Sequence, residues 1–62
     1  MSMIPVSSSA ISAIGFDGYV LRVEFRSGKV YDHEGVPEYH FYGLLNASSK
    51  GAYYNRHIRG RY

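Results

Sequence analysis

The sequence predicts an α+β domain in which a three-stranded antiparallel β-meander is followed by two short α-helices packed on one face. Three observations carry this expectation. The dipeptides Asp17-Gly18 and Ser27-Gly28 separate three segments of strand composition and supply the backbone freedom that hairpin turns require. The middle segment alternates, with Tyr19, Leu21, Val23 and Phe25 on one side and Val20, Arg22, Glu24 and Arg26 on the other, which is the period of a half-buried strand. After Gly35-Val36-Pro37 the apolar spacing changes to three and four residues, the period of a helix.

Met1 to Ser9 is Ser-rich, contains Pro5 and has no clear period, so it reads as a loose lead-in able to pair as an edge near Val6. The strands are expected over Ile11 to Phe16, Tyr19 to Arg26 and Lys29 to His33. The turn at Ser27-Gly28 allows two registers. A two-residue turn would pair Phe25 with Val30 and send Tyr31 and His33 to the face away from the core. A type I turn with Gly28 as a left-handed bulge instead sets Val23 opposite Tyr31 and Leu21 opposite His33 on the buried side. The second is favoured, because the glycine takes the αL position and the larger aromatic joins a core in need of area.

Pro37 suits the first turn of a helix, where its missing N–H has no intrahelical partner. From Glu38 to about Asn46, Phe41 meets Leu44 and Leu45, while Gly43 weakens the helix by about 1 kcal/mol relative to Ala. Ser48 or Ser49 can cap a second helix running to about Arg59, with Gly51, Tyr54 and Ile58 on one side and Gly60 ending it.

Sixty-two residues with 45% hydrophobic and 16% aromatic content make a single domain, 1–62, with one core. A chain of this length buries roughly 60% of its unfolded surface, so stability is marginal. The absence of cysteine removes disulfides and thiolate zinc sites. No apolar run approaches the roughly 20 residues of a membrane span, and Met1 to Ala10 lacks the pattern of a signal peptide, so a cytoplasmic location is expected.

Net charge is +2, but it is unevenly placed. Residues 1–47 hold Arg22, Arg26 and Lys29 against Asp17, Glu24, Asp32, Glu34 and Glu38, a balance of −2. From Ser48 onward, Lys50, Arg56, Arg59 and Arg61 stand without an acid, a balance of +4. A basic element on a mildly acidic body suits phosphates or an acidic protein surface; the plainer alternative is a solvated helix face. The candidate nucleic-acid-binding set is Lys50, Tyr53, Arg56, Arg59 and Arg61, in which cations contact phosphates and tyrosine stacks on a base. Arg59 could equally pair with Glu24 or Glu34. A second class of function is protein interaction or homo-oligomeric assembly through aromatics such as Tyr19, Tyr39 and Tyr42, since seven tyrosines and three phenylalanines exceed what so small a core can hide.

Catalysis is not expected. His33, His40 and His57 fall on separate elements without metal-ligand spacing, and alternation turns His33 away from its neighbours Asp32 and Glu34. The serines lack a nucleophile-elbow context, and Gly15, Gly18, Gly28 and Gly35 fit turns rather than a phosphate-binding loop. No cofactor or metal is called for.

Ser8-Ser9-Ala10-Ile11, Val23-Glu24-Phe25-Arg26-Ser27-Gly28, Val36-Pro37, Ala47-Ser48-Ser49-Lys50-Gly51 and Tyr54-Asn55-Arg56-His57-Ile58-Arg59 occur in the order and with the gaps of the KTSC family, which the chain resembles over nearly its whole length. That family is named for a C-terminal segment of some lysyl-tRNA synthetases and also occurs as small bacterial and phage-related proteins. Its function is not established; the synthetase association implies RNA binding. The family's central Tyr-x-Tyr motif appears here as Tyr31-Asp32-His33. As a stacking platform, His33 would be weaker than tyrosine; as a core residue, its imidazole would need a hydrogen-bond partner.

Overall fold

The computed structural model describes all 62 residues, and the chain forms β1 (Met3–Pro5), β2 (Ile11–Phe16), β3 (Val20–Phe25), β4 (Val30–Glu34), α1 (Glu38–Asn46) and α2 (Lys50–His57) in that order. The sheet has four strands, antiparallel between neighbours in the order β1-β2-β3-β4, where the sequence predicts three. The added strand comes from the segment expected to be loose. Met3, Ile4 and Pro5 pair with Gly15, Ile14 and Ala13, and the Val6 amide donates to the Ser12 carbonyl at 3.1 Å. Pro5 is tolerated because β1 lies at an edge, and Met3 rests across Gly15, where a side chain would displace it.

The hairpin between β3 and β4 takes the bulged register. Phe25 C=O accepts from the Gly28 amide at 2.9 Å, and Phe25 N–H donates to Lys29 C=O at 2.8 Å. Gly28 has φ +94°, a conformation that other residues enter only under strain. Val23 therefore faces Tyr31 and Leu21 faces His33. A second irregularity lies in β2, where the register shifts between Ile11 and Ala13, leaving Ser12 as the extra residue. This bulge turns Ile11 and Ile14, three apart in sequence, onto the same face, and the Ser12 hydroxyl donates to Glu24 C=O at 3.2 Å.

Tyr19 departs from the expected alternation. Asp17 Oδ1 accepts from the amides of Tyr19 and Val20 at 2.9 and 2.7 Å, which makes Tyr19 part of the turn and leaves its side chain 60% exposed. Tyr31 lies on the core side as its register requires, yet it remains 46% exposed because β4 is the last strand of the sheet.

Both helices cover one face. The core is built from Ile11, Ile14, Leu21 and Val23 of the sheet, Val36 before α1, Leu44 of α1, and Tyr54 and Ile58 of α2 and its end. Phe41 stacks on Phe16 with ring centroids 5.4 Å apart. On the opposite face Arg22 and Asp32 form a bidentate ion pair at 2.7 and 2.9 Å. Pro37 sits one position earlier than expected, as the N-cap of α1, and Ser49 rather than Ser48 caps α2, accepting from the Ala52 amide at 3.4 Å. The regular part of α2 ends at His57; both Ile58 and Arg59 amides then return to the Tyr54 carbonyl, and Gly60 at φ +77° turns the chain away. No helix is long and apolar enough to cross a membrane.

Close approach of the two helices reverses the expectation for Gly43. A β-carbon there would lie 2.6 Å from Cζ of Tyr53, whose hydroxyl is hydrogen-bonded to Nδ1 of buried His40 at 2.9 Å. Overpacking of this kind costs about 1–3 kcal/mol, whereas the helix-propensity gain from alanine is about 1 kcal/mol, and displacing Tyr53 also breaks its bond to His40. Gly43→Ala is therefore expected to lower stability by about 1–2 kcal/mol, read as a lower urea midpoint; a raised midpoint would show that Tyr53 yields freely.

Burial first, and then the positive charges of His57 and Arg61, hold the His40 pKa below its ordinary value of 6.5. The unfolded chain takes up the proton first as pH falls, so the stability due to neutral His40 is present above the ordinary value and is lost on acidification towards the folded pKa. The urea midpoint should drop between about pH 7.5 and pH 5.5, and His40→Gln should flatten that drop. An undiminished drop in the variant would assign the effect to other groups.

Candidate functional site

A groove of about 680 Å³ lies between the tip of the β3–β4 hairpin, the Ser9-Ala10 segment and the C-terminal half of α2. Its position follows from the bulged turn, which sets Arg26 and Lys29 on either side of the Ser27-Gly28 tip. The Arg26 amide donates to Ala10 C=O at 2.9 Å and its Nε to Ser8 C=O, tying the tip to the segment before β2. That segment is itself held by Ser8 Oγ, which accepts from the Ala10 and Ile11 amides at 3.2 Å each. Arg59, just past the end of α2, also lines the groove.

Aromatic rings form the floor. Phe25 meets Tyr54 and Tyr31 edge-to-face at 5.1 and 5.7 Å, and His33 meets Tyr54 at 5.4 Å. The His33 imidazole has the partner it needs: Nε2 is hydrogen-bonded to the Tyr54 hydroxyl at 2.9 Å. Burial pushes the Tyr54 phenol pKa up, so it stays protonated at neutral pH. Asn55 adds an amide to the lining. No carboxylate lines the groove, and the single ion pair of the chain, Arg22 with Asp32, occupies the far face of the sheet. Arg26, Lys29 and Arg59 thus give the groove one sign of charge, over rings that can stack.

The basic set expected from sequence is not one site. Arg59 lines the groove, free of Glu24 and Glu34. Lys50 instead donates from Nζ to Ala47 C=O at 3.0 Å, closing the end of α1. Tyr53 packs across Gly43 against His40 and is half-buried. Arg56 lines a shallower recess with Tyr53 and His57, and Arg61 donates from Nε to the Arg56 carbonyl at 3.1 Å. Of the family's central pair, Tyr31 and His33 both line the groove. Sequence reasoning missed Arg26, Lys29 and Asn55 as site residues; the signal was the register itself, which places a hairpin tip with two cations against the end of α2. It also missed His40, buried between the helices. No three His, Asp or Glu side chains converge as a metal site.

The profile of the KTSC domain family matches residues 7–62. An uncharacterised protein of Stutzerimonas stutzeri is 36% identical over 58 residues, covering 90% of this chain and 82% of its own. A protein of Tsukamurella paurometabola is 39% identical over 62 residues, covering 97% of this chain and 92% of its own. The crystal structure of a KTSC domain protein from Yersinia pestis superposes with a TM-score of 0.91 at 37% identity, covering 97% of this chain and 87% of that one. Sequence profile, relatives and fold agree, and the chain belongs to the KTSC domain family.

Proposed function

We propose that this chain is a small, non-catalytic, cytoplasmic module that binds single-stranded nucleic acid, RNA foremost, in the groove between the β3–β4 hairpin and α2. The observation that carries this reading is the meeting of Arg26, Lys29 and Arg59 around Tyr31, Phe25 and Tyr54 with no acid among them. Cations supply phosphate contacts, and the exposed face of Tyr31 supplies a stacking surface for an unpaired base. A stacked duplex offers no splayed base to such a floor, which favours single strands. Arg56 and Arg61, exposed beyond the groove, extend the positive surface along the C-terminal end of the chain. Only a few charges take part, so binding by one copy is weak and salt-sensitive.

A second reading, self-association, draws on Tyr39 and Tyr42, which stand three apart on α1 and are 66% and 52% exposed, together with Tyr19. Sedimentation over a concentration series separates the two, because a monomer throughout removes the assembly reading.

Fluorescence anisotropy with labelled single-stranded RNA and DNA checks the first. Three phosphate contacts to a single strand correspond to a slope of about −2 in log affinity against log salt. Arg59→Gln should weaken binding for all sequences and reduce that slope by about 0.7. Tyr31→Ala should cost about 1–3 kcal/mol with the slope unchanged. Absence of binding at about 50 mM salt would remove the proposal.

A further inference from the structure

We infer that the groove receives the phosphorylated end of a nucleic-acid strand rather than its interior, an inference that rests on the nucleic-acid reading of the same groove. Size is the first reason. At about 680 Å³ the groove has the dimensions of a small-molecule site, room for one or two nucleotides.

Charge is the second. Inside a strand each phosphodiester carries a single negative charge and successive phosphates are spaced apart along the backbone, whereas three cations and no acid line the groove. A terminal phosphomonoester adds a charge of about −1.5 to −2 at neutral pH, and brings the ligand close to the charge of the lining. Placement is the third reason. Arg26 and Lys29 come from the hairpin tip and Arg59 from the segment just after α2, so donors from two elements are available to the three terminal oxygens of a monoester, where a diester offers two. The bonds from Arg26 to the Ser8 and Ala10 carbonyls hold the hairpin tip against the preceding segment and so fix the position of that cation. Next to the cations, Tyr31 presents a half-exposed ring for the terminal base and Asn55 an amide for its edge.

The test uses six-nucleotide RNAs of one sequence bearing a 5′-phosphate, a 3′-phosphate, or hydroxyls at both ends, measured against the full chain by anisotropy competition. One phosphorylated form is expected to bind at least about tenfold more tightly than the hydroxyl form, which identifies the end recognised. Lys29→Gln and Arg59→Gln, both outside the core, should each cut that preference to about threefold or less while far-UV circular dichroism and the urea midpoint stay unchanged. Equal binding of all three RNAs overturns strand-end recognition and leaves the nucleic-acid reading standing. Failure of every RNA to bind overturns both. A phosphoserine peptide binding as tightly as the preferred RNA also overturns the inference, because the groove would then read a phosphomonoester without its nucleotide.

Discussion

The register of one hairpin sets most of what this small chain can do. Gly28 in the left-handed conformation lets the β3–β4 turn close as a type I turn with a bulge, and this choice puts Tyr31 and His33 on the helix side of the sheet. Because side chains alternate, a slip of one residue would send both to the far face. His33 would lose the Tyr54 hydroxyl, Phe25 would lose Tyr31, and the aromatic floor beneath Arg26, Lys29 and Arg59 would disappear. The site is therefore a product of backbone geometry at a single glycine before it is a product of its own side chains.

Much of this architecture was legible in the sequence. The two hairpin turns, the bulged register, the helix boundaries to within about two residues and the shared side of Gly51, Tyr54 and Ile58 all follow from local rules that tertiary packing reinforces. What escaped had identifiable causes. Three residues are too few for β1 to show a period, and its pairing depends on the bare backbone of Gly15, which only the fold brings near. The spacing of three between Ile11 and Ile14 does not fit a strand until the bulge at Ser12 is known. Alternation places Tyr19 in β3, but the carboxylate of Asp17 draws it into the turn.

The candidate site was legible only in part, for a related reason. Counting charge along the chain singles out the region after Ser48, and Arg59 does belong to the groove. Linear counting cannot show that Lys50 and Arg61 are engaged with nearby carbonyls, or that two cations from the acidic first part of the sequence face Arg59 across the groove. Net charge by segment and charge by surface diverge whenever a hairpin tip is folded against a distant helix. The acids that give the first 47 residues their negative balance lie outside the groove, and Asp32, held below the usual carboxylate range by its hydrogen bonds from Arg22, is spent on the opposite face.

Strand β1 has a consequence for how the domain is delimited. The family profile begins at residue 7, whereas Met3–Pro5 completes the sheet. A fragment trimmed to the profile boundary would keep the groove yet strip the flank of β2, baring a row of main-chain amides and carbonyls that the bared edge of a neighbouring molecule could pair with. Truncation at that boundary would thus invite edge-to-edge aggregation in a protein whose groove-lining residues are all intact.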